Sequence, residues 1–157
     1  MAKKYRKAVL GGSFDRLHEA HKLLLTTAIE IAEEVFAGIV GNELGKKLFA
    51  KKAYADIILP FEQRAAELRR FMQQHSSNFV IGELTDPWGP APHDPDADVI
   101  VVSRETVSAA HKINQMRTDK SLPPLDIVII PWVFNSAGEK LSSTLLRSKE
   151  ATKKKAI

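Results

Sequence analysis

Two kinds of apolar pattern alternate along this chain. Short β-branched runs occur at Lys7–Leu10, Val35–Val40, Phe79–Leu84, Asp98–Val102 and Ile127–Val133. Most are continuous rather than alternating, which predicts strands buried on both faces of a parallel sheet. Between them, apolar residues recur at helical spacing. Leu17, Leu24, Ala28 and Ile31 predict a helix over Leu17–Glu33. Ala65, Leu68 and Met72 predict one over Phe61–Gln74, and Val107, Ala110, Ile113 and Met116 one over Glu105–Arg117. A last short helix is expected from about Ser142. Strand and helix patterns in this alternation predict an α/β fold: a Rossmann-like, doubly wound, five-stranded parallel sheet with helices on both faces. Ligands of such sheets lie at the carboxyl ends of the strands, where the strand order reverses.

Two segments lack either periodicity. Residues 42–60 are lysine-rich, at Lys46, Lys47, Lys51 and Lys52, and are expected to form a short helix and a mobile loop. Thr85–Ala97, "TDPWGPAPHDPDA", holds four of the eight prolines. Structureless loops of that length are uncommon in small domains and are usually functional or disordered. Both segments follow expected strands, so both are expected on the ligand-binding edge. No repeat or linker divides the chain, and one domain over residues 1–157 is expected.

Composition narrows the partners. The chain of 157 residues is 44% hydrophobic and has no cysteine, so it can bury a core but holds no disulfide and no thiolate metal site. It lacks a run long enough to span a bilayer and the apolar core of a signal peptide, which predicts a soluble, cytoplasmic protein without a membrane partner. The net charge of +4 hints at nucleic acid. However, the basic residues concentrate in tails at about 1–7 and 149–157, and the body between them is net negative. Lysine-rich tails are usually just solvated, and no aromatic-interleaved basic stripe accompanies them, so no nucleic-acid partner is expected.

The stretch "GGSFDRLHEAH", residues 11–21, carries candidate chemistry. A strand, a glycine turn and a helix start together make an anion site, because free backbone N–H groups and the helix dipole converge there. Gly11 and Gly12 let a ligand approach the backbone. Ser13 and Asp15 are helix-capping residue types, and Asp15 is also a candidate ligand contact. His18 and His21 share one face of a helix. Zinc fits poorly: H-E-A-H is one residue shorter than H-E-x-x-H, and no third ligand is evident. Surface or packing histidines are the other reading. "GNELGKK" departs from a phosphate loop in its spacing and in lacking Ser/Thr after lysine, and there is no G-x-G-x-x-G. Near the end, "LSSTLLR" places Ser142, Ser143 and Thr144 at a helix start with Arg147 one turn on. That set can hold a triphosphate, or it is an ordinary capped helix with a solvated arginine.

Taken together, His18-Glu19-Ala20-His21 and Leu141-Ser142-Ser143-Thr144-Leu145-Leu146-Arg147 resemble the H-x-G-H and I-S-S-T-x-x-R motifs of the nucleotidyltransferase superfamily. Within it, "GGSFDRLHEAHKLLL", "LTDPWGPAPHDPDADVIVVSRET" and "INQMR…PLDIVIIPWV" resemble the archaeal type of phosphopantetheine adenylyltransferase, over roughly Ala8 to Glu150. The resemblance implies transfer of AMP from ATP, with Mg²⁺, to 4′-phosphopantetheine, giving dephospho-coenzyme A and pyrophosphate. It implies that Ser13 and the Gly11–Phe14 backbone bind phosphate, that His18 donates to the α-phosphate, and that His21 supports the nucleotide. Ser142, Ser143, Thr144 and Arg147 would cradle the outer phosphates. Lys46 or Lys47 would stand for the family's lysine after the second strand. Ser103, Arg104 and Glu105 would lie beside the nucleotide. Ser13, Asp15, Lys47, Asp86, Pro87, Trp88 and Gly89 would shape the pantetheine side, and no protein side chain would ligate metal. The archaeal type is more consistent with a monomer.

Two departures stand out: Ala20 replaces the motif's glycine, and Leu145 occupies a position often basic in relatives. The alternatives are a related transferase using nicotinamide mononucleotide or a flavin phosphate, and a catalytically weakened nucleotide-binding protein.

Overall fold

The computed structural model describes residues 3–155; residues 1–2 and 156–157, the ends of the two basic tails, lie outside the described residues. Five strands, β1 (Tyr5–Gly12), β2 (Ala32–Val40), β3 (Phe79–Leu84), β4 (Val99–Val102) and β5 (Asp126–Ile129), form one sheet. Every neighbouring pair is parallel, in the order β3-β2-β1-β4-β5. The helices are α1 (Glu19–Ile31), α2 (Asn42–Leu48), α3 (Phe61–His75), α4 (Val107–Asp119) and α5 (Ser143–Lys155), with a single 3₁₀ turn at Ala55–Ile57.

The continuous apolar runs are explained by a sheet covered on both faces. In β1, Ala8 and Leu10 pack with Leu25 and Ala28 of α1 and Leu68 and Met72 of α3. Val9 points the other way, against Ala110 and Ile113 of α4. In β4, Val99 and Val101 join the first core, while Ile100 and Val102 join the second. Period-two alternation thus serves two apolar layers at once.

The boundaries differ from the expected ones for local reasons. Helix α1 stops at Ile31, and Ala32 and Glu33 open β2, because Ala32 turns extended (φ −128°, ψ 147°) and pairs with Tyr5. No glycine or proline marks that junction. Helix α4 starts at Val107 rather than Glu105, after a turn in which the Thr106 N–H donates to the Ser103 carbonyl. Asp98 precedes β4 and uses its carboxylate to accept the N–H groups of Arg6 and Lys7, both at 2.9 Å. Strand β5 ends at Ile129 instead of Val133: Pro131 has no N–H for a ladder.

The proline-rich loop leaves the carboxyl end of β3, where Gly89 packs on Leu84, but does not line the cleft described below. It runs back over the α4 face, where Trp88 and Ala91 pack into the second core. Arg117, 1% exposed, ties it down by donating to the carbonyls of Ala91 (2.7 Å), Asp94 (2.8 Å), Ala97 (3.3 Å) and Pro123 (2.8 Å). Among the described residues no helix is long and apolar enough to cross a membrane.

Candidate functional site

The strand order leaves β1 in opposite directions toward β2 and toward β4, and a cleft of about 480 Å³ opens at the carboxyl end of that switch. Gly11, Gly12, Ser13 and Phe14 line it after β1, Ser103, Glu105 and Thr106 after β4, and Pro131 and Trp132 after β5. The starts of α1 and α5 complete the wall through His18, Ala20, His21, Ser142, Ser143, Thr144 and Arg147. Two helix N-termini therefore face one cavity, which makes it electropositive before any side-chain charge is counted.

The histidines are held by the helix they start. His18 is the N-cap of α1, and its Nδ1 accepts the Ala20 N–H at 3.2 Å. The Nδ1 of His21 accepts the His18 N–H at 3.3 Å, which closes a reciprocal capping box. The rings stack with centroids 3.8 Å apart, and Phe14 packs on His21 at 5.3 Å. Burial lowers the pKa of both, and that of His21, which also feels His18, falls to about 3. Neutral imidazoles accepting at Nδ1 must carry their proton on Nε2. Both rings are thus Nε2–H donors in a fixed tautomer.

At α5, Ser142 accepts the Leu145 N–H on its hydroxyl at 3.0 Å and caps the helix. The Ser143 hydroxyl donates to the Asp15 carbonyl, and Thr144 Oγ1 accepts from Arg147 Nη2 at 3.1 Å. The hydroxyl-rich start is thus largely committed to internal bonds. Its ligand-binding capacity rests on the first-turn backbone N–H groups and on Arg147. Arg147 is 2% exposed, and its Nε is a buried donor with no partner.

Several expected contacts are placed elsewhere. Asp15 does not reach the cleft. It is 0% exposed and accepts from Arg147 Nη1 (2.9 Å), Arg16 Nη1 (2.7 Å) and the Leu59 N–H (3.0 Å). Phe14 and Arg16, with φ of 50° and 51°, turn it inward. Lys46 pairs with Glu43 on the surface of α2, and Lys47 is exposed there; neither lines the cleft. Asp86 folds its own turn by accepting from the Trp88 and Gly89 N–H groups, and Pro87 stays on the surface outside the cleft. Ser103 and Glu105 line the cleft as expected. Arg104 instead lies 5.5 Å over the Trp132 ring, which Lys140 approaches at 4.6 Å while it pairs with Glu105.

Three residues were not singled out by sequence reasoning. Lys52 lines the cleft with its ammonium 5.1 Å from the Phe49 ring. Desolvation, and then Arg147, lower its pKa. Four lysines in one aperiodic segment gave no basis for choosing it. Trp132, two residues beyond the β5 core, forms the platform clasped by Arg104 and Lys140. Arg64, 1% exposed, donates to the carbonyls of Ser13 (2.9 Å), Val40 (2.7 Å) and Leu59 (2.7 Å), and so fixes the ends of β1 and β2 beneath the cleft. A lone arginine on an amphipathic helix gives no such signal. Among the described residues no group of three or more His, Asp or Glu side chains could hold a metal ion.

Residues 9–149 match the model of the cytidylyltransferase-like family. The chain is 41% identical over 149 residues to phosphopantetheine adenylyltransferase of Thermococcus kodakarensis, covering 94% of this chain and 88% of that protein. It is 38% identical over 146 residues to the protein of the same name from Methanopyrus kandleri, covering 92% and 90%. Among solved structures, a protein of unknown function from Archaeoglobus fulgidus superposes with a TM-score of 0.70 at 28% identity, covering 87% of this chain and 99% of the other. A bifunctional NMN adenylyltransferase/ADP ribose pyrophosphatase from Francisella tularensis shares the fold, with a TM-score of 0.57 at 17% identity, covering 92% and 41%.

Proposed function

The chain belongs to the cytidylyltransferase-like family and is a nucleotidyltransferase, and we propose from this that its cleft transfers AMP from ATP to 4′-phosphopantetheine. It is an enzyme of coenzyme A synthesis. An oxygen of the acceptor phosphate attacks the α-phosphorus of ATP in line. A new P–O–P bond forms, the α–β bridge breaks, and pyrophosphate leaves with the electron pair. The products are dephospho-coenzyme A and pyrophosphate.

The observation that carries this reading is the convergence of two neutral Nε2–H donors, two helix N-termini and Lys52 on one cleft. Direct attack by the acceptor phosphate asks for no nucleophile from the protein. The site orients two phosphates and meets the charge that builds on their oxygens. His18 donates to the α-phosphate in the transition state, and His21 holds it through the shared cap and donates to the nucleotide. The first-turn N–H groups of α5 take the β- and γ-phosphates, with the Arg147 guanidinium beside them. Gly11, Gly12 and Ser13 take the acceptor phosphate, and Lys52, rather than Lys46 or Lys47, neutralises the reacting pair. Ser103 and the Trp132 platform border the nucleoside. Mg²⁺ would come with ATP as part of the substrate and would offset phosphate charge, with no protein side chain assigned to it. A monomer in the cytoplasm goes with this reading.

The test is pyrophosphate release from ATP and Mg²⁺ with 4′-phosphopantetheine, with nicotinamide mononucleotide and flavin mononucleotide in parallel, and with His18→Ala as control. Release with phosphopantetheine alone, much slower in the variant, is expected. Release with another acceptor would replace the substrate but keep the chemistry. ATP binding without release in any tube would make the protein a binder.

A further inference from the structure

Asp15 belongs to the glycine-turn motif yet does not itself line the cleft; it lies behind the wall, bonded to Ser143 and Arg147. Through its carboxylate it is tied to the segment that carries Lys52. Oδ1 accepts the Leu59 N–H at 3.0 Å. Oδ2 accepts Arg16, whose Nη2 donates to the Ile57 carbonyl at 2.9 Å, and Arg147, whose Nη2 donates to the Ala53 carbonyl at 3.2 Å. The segment is therefore gripped at 53, 57 and 59 by one carboxylate and its two guanidinium partners. At its start the segment is anchored by Phe49, buried with Val40, Leu44 and Leu84, whose carbonyl accepts the Lys52 N–H at 2.9 Å; beyond Lys52 its other side-chain tie is Arg64 to the Leu59 carbonyl, and its apolar contacts there are the partial packing of Ala55 and Ile58.

We propose that Asp15 is a positioning residue that, through Arg16 and Arg147, pins the loop over residues 49–60 and thereby sets Lys52 against the reacting phosphates. The inference rests on the role given to Lys52 above. The Ala53 carbonyl, one residue from Lys52, is held by the guanidinium of Arg147, itself a residue of the cleft wall. The backbone turns left-handed on both sides of Asp15, an arrangement that costs about 1 kcal/mol or more per residue and persists only where the surroundings impose it. Removing the carboxylate leaves Arg147 buried without a counter-ion, and the loop loses its hold.

Loop release and simple loss of a charge move Lys52 in opposite directions. The charges acting on it are Arg147, which lowers its pKa, and Asp15 and Glu105, which raise it; desolvation lowers it most. If Asp15→Asn only removed a negative charge, the Lys52 pKa would fall further. If it frees the loop, desolvation is lost and the pKa climbs toward the ordinary lysine value of about 10.4. The experiment follows the pH dependence of Lys52 acylation by mass spectrometry in the full chain without substrate, for wild type and Asp15→Asn, with Arg16→Gln as a second variant. The second variant cuts the Ile57 tie together with the Arg16 pair to Glu150 and leaves Asp15 with Arg147, so it serves if the first does not fold. Because it removes a positive charge, it is read by hydrogen exchange of the amides over residues 53–59, which should become faster. Asp15→Asn should raise the Lys52 pKa. A fall or no change there, or unchanged exchange in Arg16→Gln, overturns the proposal.

The kinetic arm is a double-mutant cycle with Lys52→Ala. Asp15→Asn or Arg16→Gln should lower kcat ~10-fold alone and less than about 2-fold in the Lys52→Ala background, as expected for residues acting in series. Full additivity overturns the proposal. If Lys52→Ala leaves kcat unchanged, the phosphate role of Lys52 fails instead, and the acylation arm still decides whether Asp15 places that side chain.

Discussion

The rings of His18 and His21 lie stacked with centroids 3.8 Å apart and planes 22° from parallel, and each Nδ1 accepts a backbone N–H at the start of α1. The pair is at once a helix cap and a set of two aligned Nε2–H donors. His18→Ala should therefore lower kcat by about 100-fold, the usual loss when one oriented donor to a transition-state oxygen is removed. It should also cost about 1 kcal/mol of stability for the missing cap. His18→Asp restores the cap and carries no donor, so denaturation and pyrophosphate release should separate the two roles.

Acid should weaken the fold through the same pair. The folded pKa of His21 lies at about 3, below its unfolded value, so between those values the unfolded chain binds the extra proton. Stability is then complete above about pH 6.5 and falls as pH drops toward 3; at pH 5 the loss from this residue is about 2 kcal/mol. Urea unfolding at pH 7 and pH 5 should show it, and His21→Asn should flatten much of the difference.

Lysine substitutions should sort by cleft position, not by place in the lysine-rich run. Lys52→Ala should reduce kcat/KM by about 100-fold, whereas Lys46→Ala, which loses only an exposed pair with Glu43, should change it less than about 2-fold.

Ala20 lines the cleft at the first turn of α1. Ala20→Gly should lower the KM for ATP by clearing a methyl group from the nucleotide's path. It should also destabilise the chain by about 0.5–1 kcal/mol through helix entropy. Steady-state kinetics over a range of ATP and a thermal melt read the two effects separately.

Arg117→Met should cost about 3 kcal/mol, because the carbonyls of Ala91, Asp94 and Pro123 lose a buried charged donor. ATP affinity should stay the same, since the proline-rich loop lies away from the cleft. Chemical denaturation and isothermal titration check the pair of outcomes.

Much of the molecule was legible along the chain. Continuous β-branched runs alternating with helical periodicity follow directly from a parallel sheet covered on both faces, and they located all five strands. The glycine turn and the two motif helices could be placed because capping and anion binding are local properties of a helix start. Three-dimensional packing decided the rest. Asp15 reads as an ordinary capping residue until α5 and the loop over 49–60 close around it. Lys52 cannot be told from Lys46 by composition, because the difference lies in which way a loop without periodicity is tied. The proline-rich segment reads as an active-site loop, yet the buried guanidinium of Arg117 draws it to the opposite face. Local spacing determines which elements form and where their ends can bind charge; only long-range contacts, absent from any short window of residues, decide which side chains those ends meet.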